Sequence, residues 1–415
     1  MNDDANGKPE KTVALINRAV YLPGEGGYKR TMFLFDMMRR MGHRPILVTS
    51  DFNHYKKEVR DVGTFKAAHP DYGDIVFLHT RAYAKNVSLR RRAAENDWRV
   101  AVTRWVEGHK DSLDAVMMAM PDMNTILAVS GICKANGIEM IVDVRDLRPE
   151  VFKVLLGDGW LYRLLTGPMK RRADAAYACA DKLVAVSEEY LARGSVPGSH
   201  AKVRKTVYIG AVLDKFDEGV RKYSPGIAKP DDELWLTYAG TLGSTYDIAT
   251  AIDAVHRLKD KTYSGKRLRL MVLGQGPDRS AFEEHAKAIG ADNVTFTGFL
   301  DYERMAAYLV KSDMTLNAVK RRASQSIINK TADYFAAGIP MLNGCLCREQ
   351  RDMVDTFRTG VNYEPENSAD LAEKIDLLAG NPGLRAEMGK NARKLAEEKF
   401  DRNKTYRELI DLIYS

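Results

Sequence analysis

Short apolar runs alternate with helix-period segments along most of the chain, and this alternation restricts the fold more than any other feature. The first apolar run, residues 13–20, is followed by a glycine-rich turn and a helical segment, 28–41, that ends at Gly42. Further runs in the first half are 45–49, 74–78, 115–119, 140–144, 182–186 and 206–209. Such runs, separated by helices, are typical of a parallel sheet covered on both faces.

Residues 219–232 interrupt the pattern with two prolines, two glycines and mixed charges, which predicts a linker. A second series of strands is predicted at 235–239, 269–273, 294–297, 314–318 and 340–342, with helices beginning near Tyr246, Asp278, Tyr302 and Asn329. The predicted fold class is α/β, with two Rossmann-like, doubly wound parallel-sheet domains. Ligands of such sheets bind at the carboxyl ends of the strands, so both sets of loops are expected to face a cleft.

The expected domains are residues 1–218 and 219–399, with a helix at 400–415 packing back on the first. A chain of 415 residues, 45% hydrophobic and 29% charged, has enough material for two cores. Residues 1–11 lack the basic start and apolar middle of a signal peptide, so a cytoplasmic location is expected. The cysteines form no C-x-x-C pair, which argues against zinc and disulfide frameworks.

The net charge of +7 is unevenly distributed. Residues 1–210 contain 33 Lys and Arg against 25 Asp and Glu, a balance of +8, which leaves −1 for the remainder. The first half is therefore expected to meet something anionic. Nucleic acid is not the expected partner, because the sequence has no zinc-finger, RRM or basic-zipper pattern.

Residues 324–340 contain a short helix with defined ends. Asn329 is a suitable N-cap, Gly338 a suitable residue after the last turn, and Pro340 stops the helix. The positive end of the helix dipole and Lys330 suit a diphosphate, and Asp333 suits the two hydroxyls of a ribose. An ordinary capped helix explains the same residues equally well.

The block Asn-Lys-x-x-Asp-Tyr-x-Ala-Ala-Gly-x-Pro at 329–340 resembles the K-x-x-E-Y-x-A-x-G-x-P segment of retaining GT-B glycosyltransferases of the family-4 type. In that family an E-x(7)-E motif contacts the donor sugar and the ribose. The second acid corresponds to Asp333 and the first to Gln325, which is not acidic. The resemblance implies catalytic roles for Lys330 and Gln325 and donor binding by Ser326, Asn329 and Asp333.

Other segments resemble the donor site of the same family. Residues 238–244 resemble the loop below the donor phosphates, where small residues let the backbone approach an anion. The segments 273–277 and 297–300 look like loops lining the base pocket, and 24–27 like the glycine loop after the first strand. The donor-binding residues implied by these segments are Gly26, Gly27, Gly240, Thr241, Leu242, Gly243, Gly274 and Phe299.

Residues 143–150 resemble the R-D-L-x-P-E signature of bacterial surface-polysaccharide amino-sugar transferases. The resemblance implies that Arg145 and Asp146 lie near the transferred sugar, although an internal ion pair of Asp143 with Arg145 is the alternative. The segment with Tyr83 and Asn86, followed by three arginines, resembles these enzymes too. Tyr83, Asn86 and the strand-end His79 are the predicted acceptor residues, although a lone histidine at a strand end is more often structural.

No two aspartates are separated by a single residue, and no Glu/His cluster has metal spacing. No metal and no cofactor are therefore predicted, and Lys, Arg and helix N-termini are expected to meet the leaving-group charge. The resemblance implies retaining transfer from a nucleotide-diphosphate donor, UDP, to a saccharide or lipid-diphosphate-linked acceptor, in cell-surface polysaccharide synthesis. The residues implied for the acceptor lie in the first domain.

Three other functions fit parts of the sequence. A GT-B sugar-nucleotide epimerase and a non-catalytic nucleotide-sugar-binding protein would share the fold. A nicotinamide-dependent oxidoreductase fits Gly24-x-Gly26 and Asp51, but Lys29 occupies its third glycine position. The apolar residues 160–165 followed by Lys170–Arg172 predict contact with an anionic membrane at its inner face; a buried helix with a solvated basic end is the alternative.

Overall fold

The computed structural model describes residues 11–26, 30–152, 157, 159–323, 327 and 329–415. The chain divides into two compact units. The first ends at Val207 and also includes Tyr406–Ser415, and the second is Tyr208–Thr405. The division lies before the expected boundary at residue 218, because that boundary falls inside a helix, Leu213–Tyr223, of the second unit.

The first unit is built on a parallel sheet. Its strands are β1 (Val13–Ile16), β2 (Pro45–Ser50), β3 (Phe52–Asn53), β4 (Glu58–Val59), β5 (Ile75–Leu78), β6 (Ala115–Met120), β7 (Glu139–Val144), β8 (Lys182–Ala185) and β9 (Val203–Thr206). The order β5-β2-β1-β6-β7-β8-β9 has parallel neighbours throughout, and β3 and β4 form a separate antiparallel pair. The last strand begins at Val203, earlier than the 206–209 predicted.

Helices cover both faces of this sheet. They are α1 (Arg30–Arg40), α2 (Val62–Ala68), α3 (Leu89–His109), α4 (Met123–Asn136), α5 (Trp160–Ala178) and α6 (Glu188–Gly194). Alternate residues of β1 enter different cores: Ala14 packs in a core with Trp98 of α3, and Val13 packs in another with Phe35 of α1. Strands buried on both faces explain why the runs are uniformly apolar.

The second unit repeats this design. Its strands are β10 (Glu233–Ala239), β11 (Thr262–Tyr263), β12 (Lys266–Leu273), β13 (Val294–Gly298), β14 (Met314–Asn317), β15 (Met341–Asn343) and β16 (Gly360–Asn362). Its helices are α7 (Leu213–Tyr223), α8 (Ile248–Arg257), α9 (Arg279–Ala288), α10 (Tyr302–Lys311), α11 (Lys330–Ala336), α12 (Arg348–Thr356), α13 (Ser368–Ala379) and α14 (Pro382–Leu395). The order is β11-β12-β10-β14-β15-β16, with β13 also on β12.

The predicted linker at 219–232 is wrong at its start. Gly219 lies inside α7, and a Cβ added there would meet the Cα of Glu303 in α10 at 2.6 Å. The glycine that suggested a flexible connection therefore permits two helices to pack closely.

The chain ends with α15 (Arg402–Tyr414), which belongs to the first unit from Tyr406 onward. Tyr406, Leu409, Ile410 and Ile413 are fully buried in the same core as Phe35. The Tyr406 hydroxyl accepts a hydrogen bond from Nη1 of Arg30 at 2.8 Å. The first unit is therefore completed by a segment almost 200 residues away from the rest of it in sequence.

Candidate functional site

Two glycines bring the strand-end loops of the second unit into close contact. Gly240 directly follows β10 with a φ of 149°, and Gly274 directly follows β12 with a φ of 145°. A Cβ on Gly274 would lie 1.9 Å from the carbonyl oxygen of Gly240, so any other residue would separate the two loops. The Gly274 N–H donates to the Gly298 carbonyl at 2.8 Å, which ties the end of β13 to the same place.

Hydrogen bonds of two tyrosines fix the positions of helix α11 and of the loop that follows β10. The Tyr334 hydroxyl accepts from the Ala239 N–H at 2.9 Å and donates to the Ala239 carbonyl at 3.2 Å, so α11 is bonded to the end of β10. The Tyr238 hydroxyl donates to the Thr241 carbonyl at 2.7 Å and closes the loop. These bonds place the first turn of α11 beside Gly240.

Lys330 lies in that first turn. Its Nζ is 4.0 Å from the ring centre of Tyr238 and 3.9 Å from that of Tyr246, and a Cβ on Gly240 would be 2.6 Å from it. This nitrogen is buried and has no hydrogen-bond partner among the described residues. Burial lowers the pKa of Lys330 to about 7, because two aromatic faces replace only part of the lost hydration.

Asp333 lies one turn further along α11. Its Oδ1 accepts a hydrogen bond from the Tyr302 hydroxyl of α10 at 2.9 Å. Burial raises the pKa of Asp333 to about 6, although this hydrogen bond and the charge of Arg402 act in the opposite direction. The sequence suggested that both carboxylate oxygens could take ribose hydroxyls, but one of them is already engaged, so Oδ2 is the oxygen left for a ligand.

The ends of α11 agree only in part with the sequence. Gly338 follows the helix with a φ of 68°, as predicted for a residue after the last turn. Asn329 precedes the helix, but its backbone is helical and its side chain makes no capping hydrogen bond. The cap prediction is therefore wrong. Gln325 and Ser326 lie outside the described residues.

The other predicted donor residues are placed around these loops. Leu242 has a fully buried side chain, its N–H donates to Gln275, and its carbonyl accepts from Asp278, so it supports the loop without a free polar group. Thr241 is exposed, and Gly243 closes a turn with Tyr246. Phe299, which follows Gly298, is 75% exposed.

In the first unit, Arg145 is engaged by a buried carboxylate. Its Nε donates to Oδ2 of Asp143 at 2.5 Å and its Nη1 to the Thr31 hydroxyl at 2.7 Å. Arg30 pairs with the same carboxylate. Burial raises the pKa of Asp143, but the two arginines outweigh it and hold that pKa below its usual value. The internal ion pair considered for Asp143 and Arg145 therefore exists.

Asp146 differs from Asp143. It has no hydrogen-bond partner among the described residues, and burial raises its pKa against the charges of Arg148 and Arg145. Gly26 lies in the turn after β1 with a φ of 78°, and Gly27 lies outside the described residues.

The three predicted acceptor residues differ in how far their side chains are exposed to solvent. His79 is 80% exposed and pairs with Asp51 at 2.7 Å. Tyr83 is buried, and its hydroxyl lies 2.5 Å from Nδ1 of His54. The exposed Asn86 accepts a hydrogen bond from Nζ of Lys57 at 2.5 Å. Tyr83 and Asn86 thus share a neighbourhood at the β3–β4 pair, and His79 pairs with the residue that directly precedes β3.

Helix α5 does not match the buried-helix alternative. Trp160, Leu161, Leu164 and Leu165 are between 45% and 75% exposed, and Lys170, Arg171 and Arg172 further along are also exposed. Within the described ranges, no helix is both long and apolar enough to span a bilayer.

Sequence reasoning missed the residues that surround Lys330 and Asp333. Tyr238 and Tyr246 flank the lysine, and Tyr302 bonds the aspartate. Tyr302 was expected only as a helix start. Aromatic residues at strand and helix ends also fill cores, so the sequence alone had no signal that separated these three from the rest.

Residues 220–395 match the family model described as glycosyl transferases group 1. Two curated relatives align with part of the chain. The "Putative colanic acid biosynthesis glycosyl transferase WcaI" of Escherichia coli (strain K12) is 25% identical over 185 residues, 44% of this chain and 43% of its own length. The alpha-D-kanosaminyltransferase of Streptomyces kanamyceticus is 23% identical over 180 residues, 41% and 42% of the two lengths. The chain thus spans less than half the length of these relatives.

A solved structure resembles the chain over nearly its whole length. The Anabaena protein Alr3699/HepE, crystallised in complex with UDP, superposes with a TM-score of 0.68 at 13% identity and covers 97% of this chain and 99% of its own. WaaG, described as a glycosyltransferase involved in lipopolysaccharide biosynthesis, gives 0.63 at 17% identity, with 97% and 99% covered. At these identities the likeness concerns the fold.

Proposed function

We propose that the protein transfers a sugar from a UDP-sugar donor to a saccharide acceptor. Its GT-B fold and the match of residues 220–395 to the glycosyl transferases group 1 model support this proposal. The transfer is retaining and needs no metal, and the acceptor is lipid-linked and belongs to cell-surface polysaccharide synthesis. The enzyme is of the hexosyl or N-acetylhexosaminyl type. The proposal agrees with UDP in the crystallised Alr3699/HepE complex and with the transferase names of the relatives.

The observation that carries the proposal is the buried ammonium of Lys330. A lysine whose Nζ lies beside a glycine backbone at a strand end, without a hydrogen-bond partner among the described residues, is suited to an anion from outside the protein. In our proposal the donor diphosphate lies against Lys330 and the Gly240–Gly243 loop. The ammonium then stabilises the charge that grows on the departing diphosphate.

The remaining donor groups follow from this position. Asp333 receives a ribose hydroxyl on Oδ2, while Tyr302 holds Oδ1 and fixes the carboxylate plane. Gly274 lets the loops approach the phosphates, and the exposed Phe299 offers a face for the base. Gln325, Ser326 and Asn329 remain proposed donor contacts on the strength of the sequence.

Retention is proposed to occur by attack on the face that the diphosphate leaves. The acceptor hydroxyl bonds to the anomeric carbon as the bond to the diphosphate breaks, and the leaving phosphate oxygen takes the hydroxyl proton. The chain's own residues then need only position the two substrates and stabilise charge. Asp146 is proposed to contact the transferred sugar, with Arg145 held in place by Asp143.

The proposed location is the cytoplasm, at the inner face of the plasma membrane. Support comes from α5, whose exposed Trp160 and Leu164 are followed along the helix by exposed basic residues. Apolar side chains of this kind enter the boundary of a bilayer, and basic ones lie on anionic headgroups. A lipid-linked acceptor would be reached from this position.

The test begins with the purified protein and a panel of UDP-, GDP- and dTDP-sugars in thermal-shift assays. Binding of one class raises the melting temperature, because the ligand stabilises the native state. The UDP-sugar that binds is then incubated with membrane extracts, and the anomeric configuration of the product is read by NMR. A donor converted to its epimer without acceptor would establish an epimerase instead, and tight UDP binding without turnover a non-catalytic protein.

A further inference from the structure

Four basic side chains gather at the carboxyl edge of the first sheet, and we call them the cationic cluster: Arg18, Lys57, Arg91 and Arg148. Arg18 follows β1, Lys57 lies between β3 and β4, Arg91 is in the first turn of α3, and Arg148 follows β7. The strand order β5-β2-β1-β6-β7 brings these separate parts of the sequence to one edge. Ligands of parallel sheets bind at this edge.

The cluster has fewer carboxylates than cations. Glu95 accepts from both Arg18, at 3.3 Å, and Arg91, at 3.0 Å. Asp146 is the acid whose charge acts on Arg148 together with that of Glu95. Arginines nearby in the same unit are matched individually, as Arg60 is by Glu25 and Arg81 by Asp97, each through two hydrogen bonds. The charge of Arg18 also acts on Asp122, whose pKa burial raises. Among the described residues, the four cations of the cluster thus face three acids.

The mutual repulsion is visible in the ionisation of its members. Burial, then Arg91 and then Arg18 lower the pKa of Lys57. Burial and the charge of Arg91 also lower the pKa of Arg148. Burial, Lys57 and Arg91 together lower the pKa of His54 to about 4, so this histidine is neutral at pH 7. The positive charges of the cluster therefore raise the free energy of the unliganded protein, and a bound anion would lower it.

Donors in the cluster are also left without partners. Nη1 of Arg18 is buried and has no hydrogen-bond partner among the described residues. Arg148 is half-buried and makes no hydrogen bond with any described residue, so that other residues act on it only through their charges. Guanidinium groups present planar pairs of N–H donors that match phosphate oxygens. The ring of Tyr83 lies beneath Lys57 at 4.8 Å and Arg91 at 5.9 Å and supports both cations.

We propose that the cationic cluster binds a phosphate or diphosphate group carried by the acceptor. The excess of cations over acids and the unpartnered guanidinium donors suit an anion, and neutral His54 and Tyr83 form an uncharged floor. Arg91 belongs to the run of three arginines in the sequence. Tyr83 and Asn86 support the cluster, because the Tyr83 ring contacts Lys57 and Arg91 and Asn86 accepts a hydrogen bond from Lys57. The assignment of the anion to the acceptor rests on the proposed function. Binding of the anion itself can be measured without sugar transfer.

The test titrates inorganic pyrophosphate into the full chain by calorimetry, with saturating UDP present so that the second unit is occupied. Saturable binding is expected, and Arg148→Gln should weaken it about tenfold or more, as for the loss of a charge-assisted hydrogen-bond pair. Lys57→Gln should weaken it as well. Arg90→Gln and Arg92→Gln, on the same helix but outside the cluster, should leave it unchanged.

UDP affinity, measured separately, should be the same in all four variants, which shows that the donor site is intact. Unchanged circular dichroism and melting temperature then show that the first unit is folded. Geranyl diphosphate then replaces pyrophosphate. Tighter binding than pyrophosphate supports a lipid-linked phosphate, and equal binding supports a soluble phosphorylated acceptor. Absence of saturable pyrophosphate binding, or binding that survives Arg148→Gln and Lys57→Gln, would overturn the site. UDP binding that persists in that case would leave the proposed donor site standing.

Discussion

The surroundings of Lys330 disfavour the protonated form of its side chain. Its Nζ is enclosed by Tyr238, Tyr246 and Gly240, and burial brings the pKa to about 7. A diphosphate bound there would favour the protonated form and raise that pKa again. Donor binding and proton uptake by Lys330 are therefore expected to be linked.

We expect UDP affinity to fall about tenfold or more between pH 7 and pH 9, because the free protein must first protonate Lys330. Below about pH 6 the lysine is already charged in the free protein and its contribution is constant. Calorimetry in buffers of different ionisation enthalpy should show proton uptake on binding above pH 7. Lys330→Met should bind weakly and lose this pH dependence. Equal affinity of the native protein at pH 7 and pH 9 would contradict the linkage.

Asp333 is expected to bind the ribose through Oδ2. Asp333→Ala should weaken UDP binding about tenfold or more, since a hydrogen bond to a charged group contributes roughly 1.5–3 kcal/mol. Asp352→Ala, which removes an exposed aspartate of the same unit paired with Arg348, is the matched control and should bind UDP normally. Unchanged affinity in Asp333→Ala by calorimetry would remove Asp333 from the donor site.

At the scale of elements, the packing of α7 against α10 depends on one missing side chain. A Cβ on Gly219 would meet the backbone of Glu303 at 2.6 Å. Gly219→Ala should lower the free energy of unfolding by about 1–3 kcal/mol despite the better helix propensity of alanine. Gly108→Ala in α3, where a Cβ meets nothing within 4 Å, should be neutral or stabilising. Denaturant unfolding of both variants measures the difference.

The exposed apolar face of α5 gives a second prediction at this scale. The protein should sediment with phosphatidylglycerol vesicles at low salt and be released as salt rises, because each basic residue contributes about 1 kcal/mol that salt screens. Trp160→Glu with Leu164→Glu, or Arg171→Glu with Arg172→Glu, should weaken sedimentation and leave UDP affinity unchanged. Leu377→Glu, at an exposed apolar residue of the second unit, is the control. Sedimentation that is unchanged in both double variants would contradict the proposal.

The alternation of strands and helices could be read from the sequence, because strands buried on both faces are continuously apolar. The fold class is confirmed. Gly219 was misread because a glycine that allows close helix packing looks like one that allows a turn. At the candidate site, Lys330 and Asp333 were predicted from their place in the first turns of a short helix and from the family resemblance. Tyr302 and Arg18 were missed, since their contacts join residues distant in sequence.

At the scale of the whole molecule, charge on the leaving diphosphate is expected to be met without a metal ion. Activity should survive EDTA, because Lys330 and the backbone of the Gly240–Gly243 loop supply the stabilisation. The assay is transfer with the UDP-sugar found by thermal shift, with and without the chelator. An enzyme that stops on chelation and restarts with magnesium or manganese would contradict the proposal.

The burial of Tyr406, Leu409, Ile410 and Ile413 in the first unit also bears on how the protein is made. During translation, residues up to Val207 emerge long before the segment that fills their core. A nascent chain therefore carries an open apolar face while the whole second unit is synthesised, and domains ordinarily fold as they emerge. A stop codon near residue 405 would consequently damage the half of the protein translated first, and molecular chaperones are expected to hold that half during synthesis.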